Sequence, residues 1–324
     1  MAGALADWKT PLPAPLAGDA RALSREAHDE ILSLVRPRPN PFLARLALTW
    51  ATITVVTWVA VLVENWLATV GAIIIVGTRQ NVLGLLVHEQ IHDLGLPKRG
   101  GDTLVNLLAA FPLFVLTVEG YAQVHLAHHK YYFTQKDPDF VRKRGPDWAT
   151  PMPVRRLCWL LLSDLLGLNL VALVKGKRPS TTVPEFNRPS APLAVIRIGY
   201  YGVAVVVVAL LELWSVIVLY WILPLLTVTQ VLVRWAALCE HKYNLDQPEI
   251  AESSPIIILK WWEKLLMPNL NFSLHPYHHY FPGVPYGDLP KVHAIFEREG
   301  LVDHTRVFYG YGSFLRFIST PSFR

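Results

Sequence analysis

The sequence is poor in charge and nearly free of cysteine. Only 17% of its 324 residues are charged, where about a quarter is usual for a soluble chain. The hydrophobic share is 52% and the mean hydropathy +0.31, so a membrane protein is a better reading than two soluble domains. The two cysteines, Cys158 and Cys239, lie far apart in apolar surroundings. They fit neither a disulfide framework nor a zinc-thiolate spacing, and they offer no iron–sulfur or haem-thiolate motif. A net charge of +5 is not gathered into a basic stripe interleaved with aromatics, which argues against nucleic acid. There is no glycine-rich phosphate loop, heptad run, internal repeat or low-complexity tract. No apolar stretch follows Met1, so no cleavable signal peptide is expected.

Long apolar runs are abundant. Residues 46–63 carry only apolar or hydroxyl side chains, enough at about 1.5 Å per residue to cross most of a hydrocarbon core of roughly 30 Å. Glu64, Asn65 and Trp66 separate this run from a second, 67–87, which must return as a tight helical hairpin. Runs 193–211 and 214–234 repeat the arrangement on either side of Glu212 and Leu213. Two shorter runs read as interfacial or re-entrant helices: 104–118, broken by Pro112, and 157–174, broken by Asp164 and Asn169. Counting either as a span would leave the histidines of 125–129 across the membrane from His88 and His92. Residues 175–190 are a polar, proline-containing break. The inter-span turns carry no Lys or Arg, whereas Arg36, Arg38, Arg45, Lys98, Lys130, Lys136, Lys175, Lys242 and Lys291 fall in the remaining segments. The positive-inside rule therefore places those segments on the cytoplasmic side. Arg79, Arg197 and Arg234 read as snorkelling to the interface, and most of the eleven tryptophans as interface anchors.

The histidines carry the chemistry. Residues 271–290 hold His275, His278 and His279 within five positions; His125, His128 and His129 repeat the spacing in HLAHH; His88 and His92 stand at i, i+4 in HEQIHD. On a helix such positions share a face, and neutral imidazole is a common metal ligand. His241, at the end of the fourth apolar run, brings the set to nine on one side of the membrane. Nine nitrogen ligands exceed what one ion takes while leaving room for substrate, so two metals are the economical reading. A hydrolytic zinc site uses about three protein ligands and an open position, and nine histidines suit iron better. His28, His293 and His304 read as ordinary polar residues.

HEQIHD, HLAHH and HPYHH, in this order between paired spans, resemble the three histidine boxes of the membrane fatty acid desaturase and hydroxylase superfamily. The resemblance runs from about Ala44 to His293 and includes Asp137, Pro138 and Asp139, the CEH ending at His241, and Asn271 with FPGVPYGDLPKVH. It implies an all-α membrane protein with four transmembrane helices in two hairpins, beneath a cytoplasmic helical cap holding a non-haem di-iron centre. Residues 1–43 would be a cytoplasmic N-terminal segment, 44–293 the membrane domain and 294–324 a cytoplasmic tail. It also implies that His88, His92, His125, His128, His129, His241, His275, His278 and His279 bind the iron. Stearoyl-type members place an asparagine four residues before the equivalent of His241, where this chain has Ala237, so the chain looks closer to bacterial and hydroxylase members. Among neighbouring polar residues, Asp139, Glu240 and Asn271 are expected to support the ligands.

The expected function is O2-dependent oxidation of an unactivated C–H bond in a fatty acyl or similar lipid chain. Desaturation is favoured over hydroxylation or oxidative decarboxylation to a terminal alkene. Electrons would come from a ferredoxin or small b-type cytochrome with its reductase, docking on the basic cytoplasmic face. A metal transporter is the competing class, but it calls for ionisable residues near mid-bilayer, and here the histidines gather beyond the span ends. A two-zinc hydrolase is a third reading.

Overall fold

A computed structural model describes residues 18–114, 116–168 and 192–319. The stretch 175–190, the last residues of the expected helix 157–174 and the ends of both terminal segments lie outside the described residues. The fold is mostly helical, and among the described residues four helices are long and apolar enough to cross a membrane: Pro39–Val63, Trp66–Ile91, Leu193–Leu210 and Trp214–Glu240. A short amphipathic helix α1 (Arg25–Leu34) precedes the first of these.

Helix α2 (Pro39–Val63) opens with prolines in its first turn, where a missing N–H costs nothing. It ends at Glu64, whose φ of 50° is left-handed. The next residue, Asn65, caps α3 (Trp66–Ile91) by accepting the Leu67 N–H at 2.8 Å. The two helices pack along each other. Their outward residues, such as Trp58, Leu62 and Leu67, are exposed and apolar, and α8 (Leu193–Leu210) has no buried residue. Helices that are apolar all round need lipid as surroundings.

The expected interfacial or re-entrant helix 104–118, broken by Pro112, takes the form of an elbow. Helix α4 (Lys98–Val105) widens into a π turn over Asn106–Ala110, tightens over Phe111–Leu113 and reverses at Phe114, where φ is 63°. Helix α5 (Val118–Tyr131) then leaves so that the two arms meet at 88°. Pro112 is the cause, since its ring cannot follow a regular turn. The Leu108 carbonyl, four residues back, accepts Trp50 Nε1 at 2.8 Å instead. Asn106 closes the elbow, accepting the Val118 N–H and donating to Glu119, each at 2.9 Å.

Helix α6 (Pro138–Lys143) follows, and α7 (Val154–Leu165) begins three residues before the expected 157. Asp164, read from sequence as an interruption, pairs with Arg234. Arg234 itself does not snorkel: it is buried and lies 4.4 Å from the Trp148 ring centroid. The sequence reading failed here because it had no view of the opposite charge seventy positions away.

The fourth long helix is compound. It runs as α9 (Trp214–Ile217), a π turn over Val218–Ile222, α10 (Leu223–Leu226) and, past the non-helical Thr227, α11 (Val228–Glu240). Pro224 makes the wider turn necessary. The loosened backbone is satisfied from α3: Gln80 donates to the Trp221 carbonyl at 2.8 Å and accepts from Thr229 Oγ1 at 2.8 Å. The crossing is close, since a Cβ at Gly77 would lie 2.6 Å from Val228.

The remaining chain is short helices α12 (Ile250–Ser253), α13 (Trp261–Leu266), α14 (His275–Tyr280), α15 (Leu289–Arg298) and α16 (Tyr311–Ser319). Strands β1 (Ile256–Ile258) and β2 (Val307–Tyr309) pair in parallel, Ile256 opposite Val307, and tie the C-terminal region to the segment before α13.

Candidate metal centre

The histidines are delivered by four element ends. His88 and His92 lie one turn apart at the end of α3; His125, His128 and His129 lie on α5. His241 follows α11 in extended backbone, and His275, His278 and His279 occupy α14, which Pro276 helps to start. Eight of the nine are buried and His129 is half-buried.

Their ring nitrogens converge in two groups. In the first, Nε2 of His125 is 2.8 Å from that of His88 and 2.9 Å from that of His129, which is 3.1 Å from His278. His92 belongs here too, since ligand atoms of His88, His92, His125 and His278 all lie within 4.8 Å of one another. In the second, Nε2 of His241 is 3.1 Å from His128, 3.0 Å from His275 and 3.2 Å from His279, and His275 and His279 are 3.0 Å apart. The groups touch through the stacked rings of His129 and His279, with centroids 4.3 Å apart.

Hydrogen bonding among the rings does not account for this. A neutral imidazole has one N–H, and three nitrogens at the corners of a triangle cannot form three near-linear N–H···N bonds. A shared cation does account for it: with metal–nitrogen bonds of about 2.1 Å, two ligands at right angles stand about 3.0 Å apart. The donor set therefore fits metal. Burial holds His241, His275, His278 and His279 well below the ordinary imidazole range, reinforced by their histidine neighbours. They stay neutral, with a lone pair to offer.

The supporting contacts differ from those expected. Asp137, not Asp139 or Glu240, meets a histidine: its Oδ2 is 2.8 Å from His128 Nδ1. Asp137 also caps α6, accepting the N–H groups of Phe133, Asp139 and Phe140 at 2.9 to 3.1 Å. Asp139 is taken up by Arg142, Lys143 and Tyr243. Glu240 faces a neighbouring cleft. Asn271 adopts a left-handed conformation and donates to the Tyr286 carbonyl at 3.1 Å, while the Tyr286 N–H donates to Glu89 at 3.1 Å. Asn271 thus supports the loop after α14 and no imidazole directly. His241 Nδ1 meets Ser254 Oγ at 2.9 Å and the Tyr132 hydroxyl at 3.3 Å. Sequence reasoning missed both of these residues, and nothing in their local pattern marks them. His28, His293 and His304 stand outside both groups; His293 bonds the Tyr277 hydroxyl at 2.8 Å.

The family model described as "Fatty acid desaturase" matches residues 64–312, a range that contains all nine histidines. Among curated proteins, dihydrorhizobitoxine desaturase of Bradyrhizobium elkanii is 26% identical over 239 residues, covering 69% of this chain and 66% of that protein. The match thus spans just under two thirds of that relative's length.

Proposed function

Since the chain belongs to the fatty acid desaturase family, we propose that it is a membrane oxidoreductase that desaturates a fatty acyl or similar lipid chain at a two-iron centre, using O2. The observation that carries this reading is the convergence of the histidine nitrogens in two adjoining groups. His88, His92, His125, His129 and His278 would hold one ion, and His128, His241, His275 and His279 the other. Two iron ions would supply the redox chemistry with O2 that breaking an unactivated C–H bond requires.

The chain's own residues set the conditions. Each ligand must present Nε2 bare, so its proton belongs on Nδ1. For His128 that proton is donated to Asp137, and for His241 to Ser254. Burial of the rings keeps bulk water from the centre. The four long helices form two hairpins, with the histidines in a cap on the cytoplasmic side where the basic segments lie. Residues 1–43 and 294–324 flank a membrane domain of 44–293. Electrons arrive from an external ferredoxin or small b-type cytochrome with its reductase.

Protein purified without added metal is expected to contain two irons per chain, and cells expressing it to gain an unsaturated lipid product by mass spectrometry. His278→Ala should lose that product. Two equivalents of zinc, or an unchanged product profile in the variant, would overturn the reading.

A further inference from the structure

Helix α13 (Trp261–Leu266) turns most of its side chains outward. Trp261 is 78% exposed, Leu265 64% and Leu266 61%, and Trp262 is exposed as well. Lys260 and Lys264 are exposed beside them and have no carboxylate partner among the described residues. The one acid of the helix, Glu263, is buried and accepts the Lys260 and Tyr311 N–H groups at 2.8 Å each. The outward surface is therefore apolar and basic at once, and an apolar patch of this kind marks a surface that something covers.

The depth of α13 along the long helices says what covers it. The two that run toward the histidines, α3 and the compound α9–α11, each open on an exposed tryptophan, Trp66 and Trp214, and tryptophan favours the membrane boundary. Arg79 stands thirteen residues beyond Trp66, about 20 Å along the helix, and its Nη2 donates to the Leu265 carbonyl at 3.3 Å. Trp235 stands twenty-one residues beyond Trp214, about 30 Å on, and lines one cleft with Met267 and Pro268, the residues that follow α13. Against a hydrocarbon core of roughly 30 Å, both rulers put α13 at the boundary on the histidine side. Helix α7 lies at the same level: its Asp164 pairs with Arg234, and its Trp159, Leu162 and Leu165 are exposed. The two helices share a buried cluster, in which Leu157, Leu160 and Trp235 meet and Met267 packs against them.

We propose that α13 lies in the headgroup layer of the bilayer, with its tryptophans and leucines at the acyl boundary and Lys260 and Lys264 on the phosphates of anionic phospholipids. Apolar area sunk to that depth and lysines drawn to anionic lipid are the two sources of interfacial binding, and α13 carries both within seven residues. From α13 the chain runs through Phe272–Leu274 straight into His275, so the lipid surface holds the segment that presents the third histidine cluster. The proposal rests on the four long helices spanning a bilayer and on no reading of the metal centre.

The test places a bimane fluorophore on single cysteines of the full chain in a Cys158→Ser background, Cys239 being buried, in nanodiscs of phosphatidylcholine with a minor share of phosphatidylglycerol. Leu265→Cys reports on α13, Lys136→Cys on the exposed cap, and Val205→Cys on the lipid-facing side of α8. Position 265 should be quenched by lipid spin-labelled near its headgroup and shielded from aqueous iodide, the reverse of position 136. With the spin label on phosphatidylglycerol alone, quenching at 265 should fall at least about three-fold in Lys260→Gln/Lys264→Gln, since each lysine near an anionic leaflet is worth about five-fold in affinity. With the label on phosphatidylcholine it should not fall. Iodide quenching at 265 equal to that at 136 would overturn the proposal, as would shielding from both quenchers, the mark of a protein neighbour such as a second copy. A lysine variant quenched by labelled phosphatidylglycerol as strongly as wild type would overturn the role of anionic headgroups. Failure of the bilayer reading itself would appear separately, as iodide quenching at position 205.

Discussion

Asp137 shows how one carboxylate can fix both a helix start and a metal ligand. It caps α6 with one oxygen and meets His128 and the Phe133 N–H with the other. Asp137→Asn keeps the shape but replaces an acceptor-only oxygen with an amide that can turn either way. Iron content per chain is expected to fall with a 10- to 100-fold loss of affinity, roughly the usual cost of removing such a partner, while circular dichroism stays unchanged. Eight of the nine histidines were legible in the sequence because i, i+3 and i+4 spacing reports a shared face directly, and His241 because it ends an apolar run. The choice between Asp137 and Asp139 was not, because it depends on how the chain turns at Phe133, where φ is 54°. The buried imidazoles also set a pH dependence. Burial holds His241, His275, His278 and His279 well below their ordinary value, so in acid the unfolded chain takes up protons that the folded chain refuses. Stability is then lost as pH falls from about 6.5, the ordinary imidazole pKa. Thermal unfolding of metal-free protein in detergent should show Tm falling as pH drops below that value.

At the scale of elements, the long helices were legible because hydropathy over about twenty residues reports lipid crossing without any tertiary information. The geometry of the breaks was not, although Pro112 itself marks one in the sequence. The elbow at Pro112 and the compound helix at Pro224 depend on partners from other elements, Trp50 for one and Gln80 for the other. The close crossing of α3 and α11 gives a matched pair of variants on one helix. Gly77→Ala would drive a methyl to within 2.6 Å of Val228, whereas a Cβ at Gly84 meets nothing within 4 Å. Gly77→Ala should cost about 1–3 kcal/mol, the usual price of overpacking, and Gly84→Ala nothing or a slight gain, read as the shift in Tm of the purified protein. Val228→Ala in the Gly77→Ala background should recover only part of the loss, since the Cβ at position 228 itself lies 2.6 Å from the added methyl.

For the whole molecule, the proposed placement of the clustered histidines on the cytoplasmic side rests on charge distribution and is open to a labelling experiment. Glu64 and Lys136 are both exposed, and Cys158 is the exposed native thiol. In a Cys158→Ser background, Glu64→Cys should react with a membrane-impermeant maleimide on intact cells, and Lys136→Cys only after permeabilisation. The reverse pattern would turn the molecule over in the membrane. The sequence points to this arrangement through the absence of Lys and Arg in the two short turns. It left unreadable the cleft that Glu240 faces, since its lining residues Asn81, Trp235 and Glu240 come from two helices whose facing sides no single stretch reveals.

The stacking of His129 on His279 has a last consequence. One turn of α5 sends His125 and His129 to the first group and His128 to the second, while α14 divides its three histidines the same way. Each half of the centre is thus built from the other half's scaffolding. If the centre holds two ions as proposed, a chain lacking one is expected to offer its neighbour a distorted place, so that metal content measured per chain runs to none or both.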